Sequence, residues 1–266
     1  MIINNQTKIF ISISRFPGST GALLHNTGYK IHKLNCVYLP FECRKESQLK
    51  SIINNNNFSG ISVSMPFKDK VIKYVNKLDK YALKTKSVNT IIKKNGSING
   101  FNTDYFALKR IFKNKNFKIN SATIIGNGST SRTAFEILKE LKVKKIFLTA
   151  RNQKKYNSWK FYNSIELIKW KKRSDIISDL LINCTPMGMK DKNILPLNLR
   201  SKKQFKLIVD LPINQKTKLS KISKKLNIKY IDGQYISLLQ GIEQYRLYNG
   251  RRLNLNKMKK ILGYKI

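Results

Sequence analysis

The amino-acid sequence predicts an α/β protein built from two domains. Short apolar runs of strand length alternate with helix-periodic stretches along the whole chain, which is typical of α/β folds. In the second half a glycine-containing turn stands between a buried strand and a helix, as in βαβ units. The chain has 266 residues, of which 41% are apolar, so it can bury a sizeable core and wholesale disorder is excluded.

The first half is predicted to run to about residue 102 and to begin with strands and helices in alternation. Apolar alternation predicts the strands, and helical periodicity predicts one helix after the His25 region and one over residues 46–53. The three predicted strands are Lys8–Ser14, Cys36–Phe41 and Gly60–Met65.

The remainder of this half contains a proline and a turn signal. Pro66 is expected to open a helix through about Leu83, because proline is favoured in a first helical turn. Asn95-Gly96 is typical of a tight hairpin turn, and it separates two short predicted strands, Val88–Ile92 and Ile98–Phe101.

The second half begins at Thr103, where Thr103-Asp104 can cap a helix over Tyr105–Phe112. A basic linker, Lys113–Lys118, leads into the predicted βαβ unit. The remaining predicted strands are Ala122–Ile125, Val143–Thr149, Leu180–Cys184 and Leu207–Leu211, and the remaining helices are Arg132–Leu141, Ile236–Tyr248 and Leu253–Leu262.

The chain is strongly basic, with 53 Lys and Arg against 14 Asp and Glu and a formal charge of +39. Lysine recurs in nearly every segment and is accompanied by abundant asparagine and isoleucine, the residues that AT-rich codons supply. The charge therefore indicates compositional drift rather than a dedicated nucleic-acid surface. A surface this basic is still expected to attract polyanions non-specifically and to draw in small anionic substrates.

Cysteine and histidine are scarce. Three cysteines (Cys36, Cys43 and Cys184) argue against a disulfide framework and indicate a reducing, cytoplasmic environment. No Cys/His group has metal-ligand spacing, so no metal site is expected. Neither a membrane-length apolar run nor the ordered regions of an export signal are present, so neither a membrane protein nor an exported one is expected.

The most interpretable motif is the turn Gly126-Asn127-Gly128-Ser129-Thr130-Ser131. Glycines after a strand let the backbone approach a pyrophosphate, whose charge is favoured at the following helix N-terminus. The third glycine of the common fingerprint is absent and Ser131 stands in its place. The motif predicts a dinucleotide site, and the alternative is an ordinary tight turn.

The end of the next strand indicates which dinucleotide would bind. An NAD-type site places Asp or Glu there, whereas this chain has Ala150-Arg151-Asn152 followed by Lys154. Arg151 and Lys154 suit a 2′-phosphate, which predicts NADP as the cofactor. The alternative is that both are ordinary surface charges.

Two further segments carry candidate proton-transfer groups. The strand over Ser62-Val63-Ser64 ends in hydroxyls, and Lys68 falls in the first turn of the helix expected from Pro66. The helix dipole and burial there would lower the pKa of Lys68, which could then exchange a proton with a bound alcohol. Asp104 opens a helix, where its ionised form is favoured. Taken alone, Lys68 is more typical of a surface lysine and Asp104 of an ordinary helix cap.

Together these motifs resemble the shikimate dehydrogenase family, in the right order and over nearly the whole chain. The family motifs include a strand ending in Asn-Val-Thr followed by Pro-x-Lys, then Ala-Val-Asn-Thr and Asn-Thr-Asp. The similar segments here are Ser62–Lys68, Ser87–Thr90, Asn102–Asp104, Gly126–Ser131, Ala150–Asn152 and Asn183–Met189, followed by Gly233 and Gln240.

The chain departs from the family pattern at several positions. Only Ser19 fits the amino-terminal serine pair, and Gly21 replaces the second serine. Ser62 and Ser64 stand where the family has Asn and Thr, and Ile213 stands where it has a tyrosine.

The resemblance implies an N-terminal α/β substrate domain, 1–102, joined by C-terminal helices over 236–266, and a Rossmann-type NADP-binding domain, 103–235. It implies reversible NADPH-dependent reduction of 3-dehydroshikimate to shikimate, a step of aromatic amino acid biosynthesis. The stretches Ser12–Gly18 and Val63–Lys68 look closer to the shikimate-dehydrogenase-like branch than to the main enzyme. No metal is required, because the nicotinamide supplies the hydride.

The resemblance also implies roles for single residues. Lys68 and Asp104 are the catalytic candidates, with Lys68 moving the proton and Asp104 positioning it. The substrate-binding candidates are Ser19, Gly21, Ser64, Asn89, Asp104 and Gln240. The cofactor-binding candidates are Gly126, Asn127, Gly128, Ser129, Thr130, Ser131, Ala150, Arg151, Asn152, Lys154, Leu211 and Gly233.

Two alternatives to this function stay open from the sequence. One is a related dehydrogenase acting on quinate or another cyclic polyol, and the other is a basic nucleic-acid-binding protein on a degenerate dehydrogenase scaffold. Joint retention of Lys68, Asn89 and Asp104 favours an enzyme over the second alternative. The expected partners are therefore a small-molecule substrate, no specific nucleic acid and no membrane, in a monomer or homodimer.

Overall fold

Two six-stranded sheets organise the residues that the computed structural model describes, which are 3–113, 117–159, 165–213 and 216–264. The first unit of the chain comprises Met1–Phe106 and Leu238–Ile266, and the second comprises Ala107–Ser237. The domain limits predicted from the sequence fall at 102 and 235, and the roles given to the two domains stay predictions. Residues 114–116 of the predicted linker lie outside the described residues.

The sheet of the first unit has the order β2-β1-β3-β5-β6-β4. Strands β1 to β3 run parallel, whereas β5 is antiparallel to both β3 and β6. Its strands are β1 (Lys8–Ser14), β2 (Cys36–Glu42), β3 (Phe58–Val63), β4 (Lys77–Leu78), β5 (Thr90–Lys94) and β6 (Ser97–Phe101), and its first helices are α1 (Thr20–Ile31), α2 (Gln48–Asn54) and α3 (Lys80–Thr85).

Alternation along β1 supplies a hydrophobic cluster to each face of this sheet. Ile11 and Ile13 pack into one cluster with Leu49 of α2, and Phe10 packs into the other. The second cluster also contains Leu238 and Tyr245 of the C-terminal helices, so those helices complete the core of the first unit. The C-terminal helices are α7 (Gly233–Asn249), which begins in the second unit, and α8 (Leu255–Ile261).

The hairpin predicted at Asn95-Gly96 is confirmed. Asn95 and Gly96 have φ of 50° and 73°, and the flanking residues Lys94 and Ser97 pair across the two strands. Both turn residues therefore adopt the left-handed backbone that a two-residue hairpin loop requires.

The helix predicted from Pro66 to Leu83 is wrong. Pro66 lies in a turn, and only a single 3₁₀ turn, Val71–Tyr74, precedes the two-residue strand β4. The backbone N–H groups of Asn76 and Asp79 donate to carbonyls of β6, at 2.8 and 2.9 Å, instead of to carbonyls four residues back. Pairing at the sheet edge thus replaces helical hydrogen bonds, and Asp79 caps the separate helix α3.

The sheet of the second unit is parallel throughout, in the order β12-β11-β10-β7-β8-β9. The strand order reverses between β7 and β10, which is the switch point where doubly wound sheets bind their ligands. The elements of this unit are α4 (Thr103–Phe112), which begins in the first unit, β7 (Ser121–Ile125), α5 (Ser129–Glu140), β8 (Lys145–Thr149), β9 (Ile165–Leu167), β10 (Leu180–Asn183), β11 (Leu207–Asp210), α6 (Lys218–Lys225) and β12 (Lys229–Ile231).

Several helix boundaries differ from those that the sequence pattern predicts. Helix α7 begins at Gly233, before the predicted Ile236, since Asp232 accepts a hydrogen bond from the Tyr235 N–H at 2.8 Å. Helix α5 begins at Ser129 rather than Arg132, so the last three residues of the glycine turn form its first turn. Strands β9 and β12 and helix α6 had not been predicted.

Within the described residues, no helix combines the length and apolar character that crossing a membrane requires. No group of three or more His, Cys, Asp or Glu side chains among them could hold a metal ion.

His25 lies in the middle of an aromatic cluster in the first unit. Its ring is fully buried and stacks on Tyr38, with ring centroids 4.4 Å apart and planes 2° from parallel. Tyr29, Tyr245 and Tyr248 surround it at centroid distances between 5.5 and 6.2 Å. Burial disfavours the charged imidazolium and lowers the pKa of His25 to about 3.

The folded protein should therefore lose stability in acid through His25. Between pH 6.5 and about 3 the unfolded chain binds a proton at His25 that the folded chain does not, so stability falls as the pH falls. Relative to His25→Phe, the wild-type free energy of unfolding should drop by about 1.4 kcal/mol for each pH unit below the unfolded pKa. Urea unfolding at neutral and acidic pH measures the difference, and parallel pH dependence of the two proteins would contradict it.

Candidate active site

Polar side chains collect at one edge of the first sheet because of its strand directions. Strands β1 and β3 both end at this edge, where Val63 pairs with Ile13. Strand β5 begins there, since Ser62 pairs with Thr90, and Thr90 in turn pairs with Phe101 at the end of β6. Residues that follow β3 and β6 or precede β5 therefore share this edge.

Lys68 and Asp104 form an ion pair at this edge. The distance from Lys68 Nζ to Asp104 Oδ2 is 2.5 Å, and the two side chains are only 15% and 11% exposed. The Lys68 carbonyl accepts a hydrogen bond from the Val88 N–H at 2.8 Å, which ties the turn to the start of β5. Asp104 lies in the first turn of α4, which Asn102 caps by accepting from the Tyr105 N–H at 3.2 Å.

The helix-dipole argument for Lys68 is wrong, because Lys68 lies in a turn and not in a helix. The one helical N-terminus at this pair within the described residues belongs to α4, and it carries Asp104. Lys68 is therefore held by a buried carboxylate and not placed at the helix N-terminus that the sequence predicts.

Asn89 joins the start of β5 to the helices α4 and α7. Its Oδ1 accepts from the Thr103 N–H at 2.8 Å, and its Nδ2 donates to Thr103 Oγ1 at 3.0 Å. Gln240 Oε1 accepts from Thr103 Oγ1 at 3.2 Å and from Asn89 Nδ2 at 3.4 Å. Two predicted site residues, Asn89 and Gln240, are thus brought together through Thr103, which the sequence argument had named as a helix cap and motif residue but not as a site residue.

The predicted residues near the amino terminus lie around the first turn of α1. Ser19 occupies the N-cap position, yet its side chain makes no capping hydrogen bond. An ideal Cβ on Gly21 would lie 3.2 Å from the hydroxyl oxygen of Tyr38, so this phenol occupies the space beside the missing serine side chain. Ser64 is exposed, and its N–H donates to the Ile13 carbonyl at 2.9 Å.

Tyr38 is one of three polar residues at this edge that the sequence argument missed. Burial raises the pKa of its phenol to about 12, while hydrogen bonds with Ser62 and Ser12 oppose this rise. The Tyr38 hydroxyl is therefore protonated at neutral pH. Tyr38 left no signal in the sequence, because it lies in a strand that only tertiary packing carries to α1.

Gln244 and Tyr248 are the other two residues that the sequence argument missed, although the sequence contained a signal for them. They follow Gln240 by one and two helical turns on α7, so all three side chains lie on one helix face. Gln244 and Tyr248 both contact the hydroxyl of Ser62, each at 3.0 Å.

The glycine turn of the second unit lies at the switch point of its sheet. Gly126 has φ of 112°, its N–H donates to the Thr149 carbonyl at 2.8 Å, and its carbonyl accepts from the buried Tyr156 hydroxyl at 2.9 Å. A Cβ here would lie 3.2 Å from the carbonyl oxygen of Cys184, so glycine is required. By contrast, nothing lies within 4 Å of a Cβ on Gly128, which leaves open space in front of the turn.

The residues after β8 lie beside this turn. Asn127 Nδ2 donates to the carbonyl of Asn152, and Asn152 Oδ1 accepts from the Lys154 N–H at 3.0 Å. Ala150 is buried, whereas Arg151 and Lys154 are exposed. Two basic groups are therefore presented to solvent next to the loop, without a carboxylate between residues 149 and 155.

Leu211 and Gly233 are brought together at the end of β11. A Cβ on Gly233 would lie 2.4 Å from the carbonyl oxygens of both Leu211 and Pro212, so the chain passes too closely for a side chain. Ile213, which stands in place of the family's tyrosine, is 44% exposed.

The neighbouring strand ends share a buried carboxyl group. Asp210 accepts from Asn183 Nδ2 at 2.7 Å and from the Tyr230 hydroxyl at 2.5 Å. Burial raises the pKa of Asp210 to about 6, and these two donors only partly oppose the rise. Asn183 also accepts from Thr185 Oγ1 at 2.7 Å, so Asp210 anchors the loop that follows β10.

Comparisons with known proteins all point to the same family. The family model for the shikimate dehydrogenase substrate binding domain matches residues 17–91. A shikimate dehydrogenase (NADP(+)) from Maridesulfovibrio salexigens is 32% identical over 265 residues, covering 97% of each chain.

Solved structures agree with this. Shikimate dehydrogenase from Aquifex aeolicus matches with a TM-score of 0.87 and 28% identity, covering 98% of this chain and 99% of that one. A shikimate dehydrogenase solved in complex with NADP+ matches with a TM-score of 0.83 and 25% identity, covering 98% and 96% of the two chains.

The close approach at Gly233 makes a direct prediction. Gly233→Ala should lower the free energy of unfolding by about 1–3 kcal/mol or more, because neither backbone carbonyl can move away cheaply. Gly128→Ala is the matched control, since its φ of −85° suits alanine and its Cβ meets nothing, so its stability should change by less than about 0.5 kcal/mol. Equal losses for the two variants in urea unfolding would contradict the described backbone.

Proposed function

The chain belongs to the shikimate dehydrogenase family, and from that premise we propose that it catalyses the reversible NADPH-dependent reduction of 3-dehydroshikimate to shikimate. It is an oxidoreductase acting on a CH–OH group, and the reaction belongs to aromatic amino acid biosynthesis. The observation that carries the proposal is the buried pair of Lys68 and Asp104. It lies beside the amide network, because the Lys68 carbonyl accepts from the Val88 N–H and because Asp104 follows Thr103, whose N–H donates to Asn89.

NADP fits the residues of the second unit. The open space at Gly128, the start of α5 at Ser129 and the basic Arg151 and Lys154 together suit a pyrophosphate and a 2′-phosphate. When bound, the cofactor supplies or accepts the hydride at the substrate carbon. We assign to its binding the whole turn from Gly126 to Ser131, with Ala150, Asn152, Leu211 and Gly233.

Lys68 moves the proton in this proposal. In the reducing direction the substrate carbonyl oxygen becomes a hydroxyl, and the Lys68 ammonium donates the proton that this oxygen gains. In the oxidising direction the neutral Lys68 amine takes the proton back. Asp104 accepts from Lys68 Nζ and keeps it pointed at the oxygen.

The remaining polar groups at the edge hold the substrate. Asn89 and Gln240 carry amide groups for the ring hydroxyls, and Ser64 and Ser19 carry hydroxyls for the ring and the carboxylate. Gly21 contributes only its backbone, and the positive field of the chain favours an anionic substrate.

Purified protein with NADP or NAD and with shikimate or quinate tests the proposal by the absorbance of the reduced nicotinamide. The proposal expects NADP and shikimate as the preferred pair. A preference for quinate would instead favour the related polyol dehydrogenase. Membership of the shikimate-dehydrogenase-like branch, the choice between monomer and homodimer, the absence of a specific nucleic-acid partner and a cytoplasmic location stay predictions.

Replacing the proton-transfer group should slow turnover. Lys68→Met nearly keeps the length of the side chain but removes the amine that carries the proton. The kcat should therefore fall roughly 10²- to 10⁴-fold, with little change in KM. Lys70→Met is the matched control, because Lys70 is 49% exposed and contacts only Glu46 among the charged groups described. Steady-state kinetics measure both, and a Lys68→Met enzyme that keeps most of its kcat would remove Lys68 from the mechanism.

Cofactor preference should depend on Arg151. A charge-assisted contact of a guanidinium with the 2′-phosphate is worth roughly 1.5–3 kcal/mol, or about 10- to 150-fold in relative KM. Arg151→Ala should therefore raise the KM for NADP and leave the KM for NAD nearly unchanged.

The diffuse positive charge of the chain also favours the more anionic cofactor, and two controls separate the effects. Lys144→Ala removes an exposed charge of the same unit and should change neither cofactor's KM appreciably. Raising the salt concentration weakens a diffuse field more than a close pair. If Arg151→Ala raises the KM for NADP and the KM for NAD by the same factor, the assignment of Arg151 to the 2′-phosphate is wrong.

A further inference from the structure

Gln244 is a buried amide that the proposed mechanism does not use. It is 4% exposed and lies on α7 one turn after Gln240. A carboxamide removed from water costs free energy unless its donors and its acceptor are all satisfied. The partners of Gln244 therefore show what its burial accomplishes.

Each polar end of Gln244 contacts the sheet edge that carries the substrate-binding candidates. Its Nε2 donates to the carbonyl of Asn89 at 3.0 Å and to Thr90 Oγ1 at 2.9 Å, and its Oε1 accepts from Ser62 Oγ at 3.0 Å. Thr90 Oγ1 in turn donates to Asn89 Oδ1 at 2.9 Å. Gln244 thus holds both the backbone and, through Thr90, the side chain of Asn89.

Ser62 is the partner of this amide on β3. Position 62 carries asparagine in the family motif Asn-Val-Thr and the shorter serine here. The Ser62 hydroxyl has Gln244 on one side and the Tyr248 hydroxyl on the other, each at 3.0 Å. A carboxamide from α7 therefore lies against the end of β3, where the family motif carries a carboxamide on the strand itself.

We propose that Gln244 is a positioning residue of the substrate site, and that its carboxamide takes over the place of the one that the family motif carries at position 62. This inference rests on the proposed function. Gln244 touches no reacting atom; it orients the Asn89 amide and the Ser62 hydroxyl, so that substrate binding depends on a helix that packs onto the sheet from the C-terminal end of the chain.

Three variants test the proposal. Gln244→Glu keeps the shape but cannot donate to the Asn89 carbonyl, and Gln244→Ala removes the amide. Both should raise KM for shikimate roughly 10-fold, the equivalent of one lost hydrogen bond, with kcat and KM for NADP changed little. The double variant Ser62→Asn/Gln244→Ala returns a carboxamide to the strand and should bring KM for shikimate back to within about 3-fold of wild type.

A binding measurement without turnover accompanies the kinetics. Shikimate should raise the melting temperature of the wild type and of the double variant, and should raise it less in the two single variants. Arg246→Ala is the matched control on the same helix, because Arg246 pairs with Glu243 away from the network. Its kinetics and its shikimate-induced shift should equal those of the wild type.

The outcomes separate the inference from the proposed function. Single variants that lose melting temperature but keep the wild-type KM would overturn the inference, because the role would then be structural only. A folded double variant whose KM stays raised would also overturn it, and this test holds even if a single variant fails to fold. Wild-type protein that neither oxidises shikimate nor is stabilised by it would contradict the proposed function itself.

Discussion

The buried ion pair of Lys68 and Asp104 requires the surrounding residues of the first unit to hold its geometry. Taking an ammonium and a carboxylate out of water is costly, so the pair is tolerated only if its geometry is held tightly. The turn carrying Lys68 is tied to the start of β5, and the helix carrying Asp104 is capped by Asn102. These contacts hold Lys68 against Asp104, which is the positioning that the proposed proton transfer to a bound oxygen requires.

The amides around this pair form one connected network. Asn89 contacts Thr103, Thr103 contacts Gln240, and Gln244 returns to Asn89 and to Ser62 at the end of β3. Because nearly every member is buried, a change at one position leaves a partner unsatisfied elsewhere. The C-terminal helix α7 thus belongs to the proposed substrate site as much as the strands do.

The second unit uses backbone geometry where the first uses side chains. The positive φ of Gly126 and the open space at Gly128 give an anion access to the backbone at the start of α5, and Arg151 follows the next strand. In so basic a chain the overall field favours any anion, so selectivity has to come from donors at defined positions. Buried Tyr156 and Asp210 anchor the two loops that follow β7 and β10.

The sequence by itself determined the α/β class, most strand positions, the hairpin at Asn95-Gly96 and the glycine turn, because each depends on local periodicity and turn chemistry. Only the tertiary structure decided that the segment after Pro66 pairs with β6, since edge hydrogen bonds outcompeted a local helix signal. It also decided which polar residues share the site. Gln244 and Tyr38 acquire their partners from distant segments through packing, and no local pattern encodes such contacts.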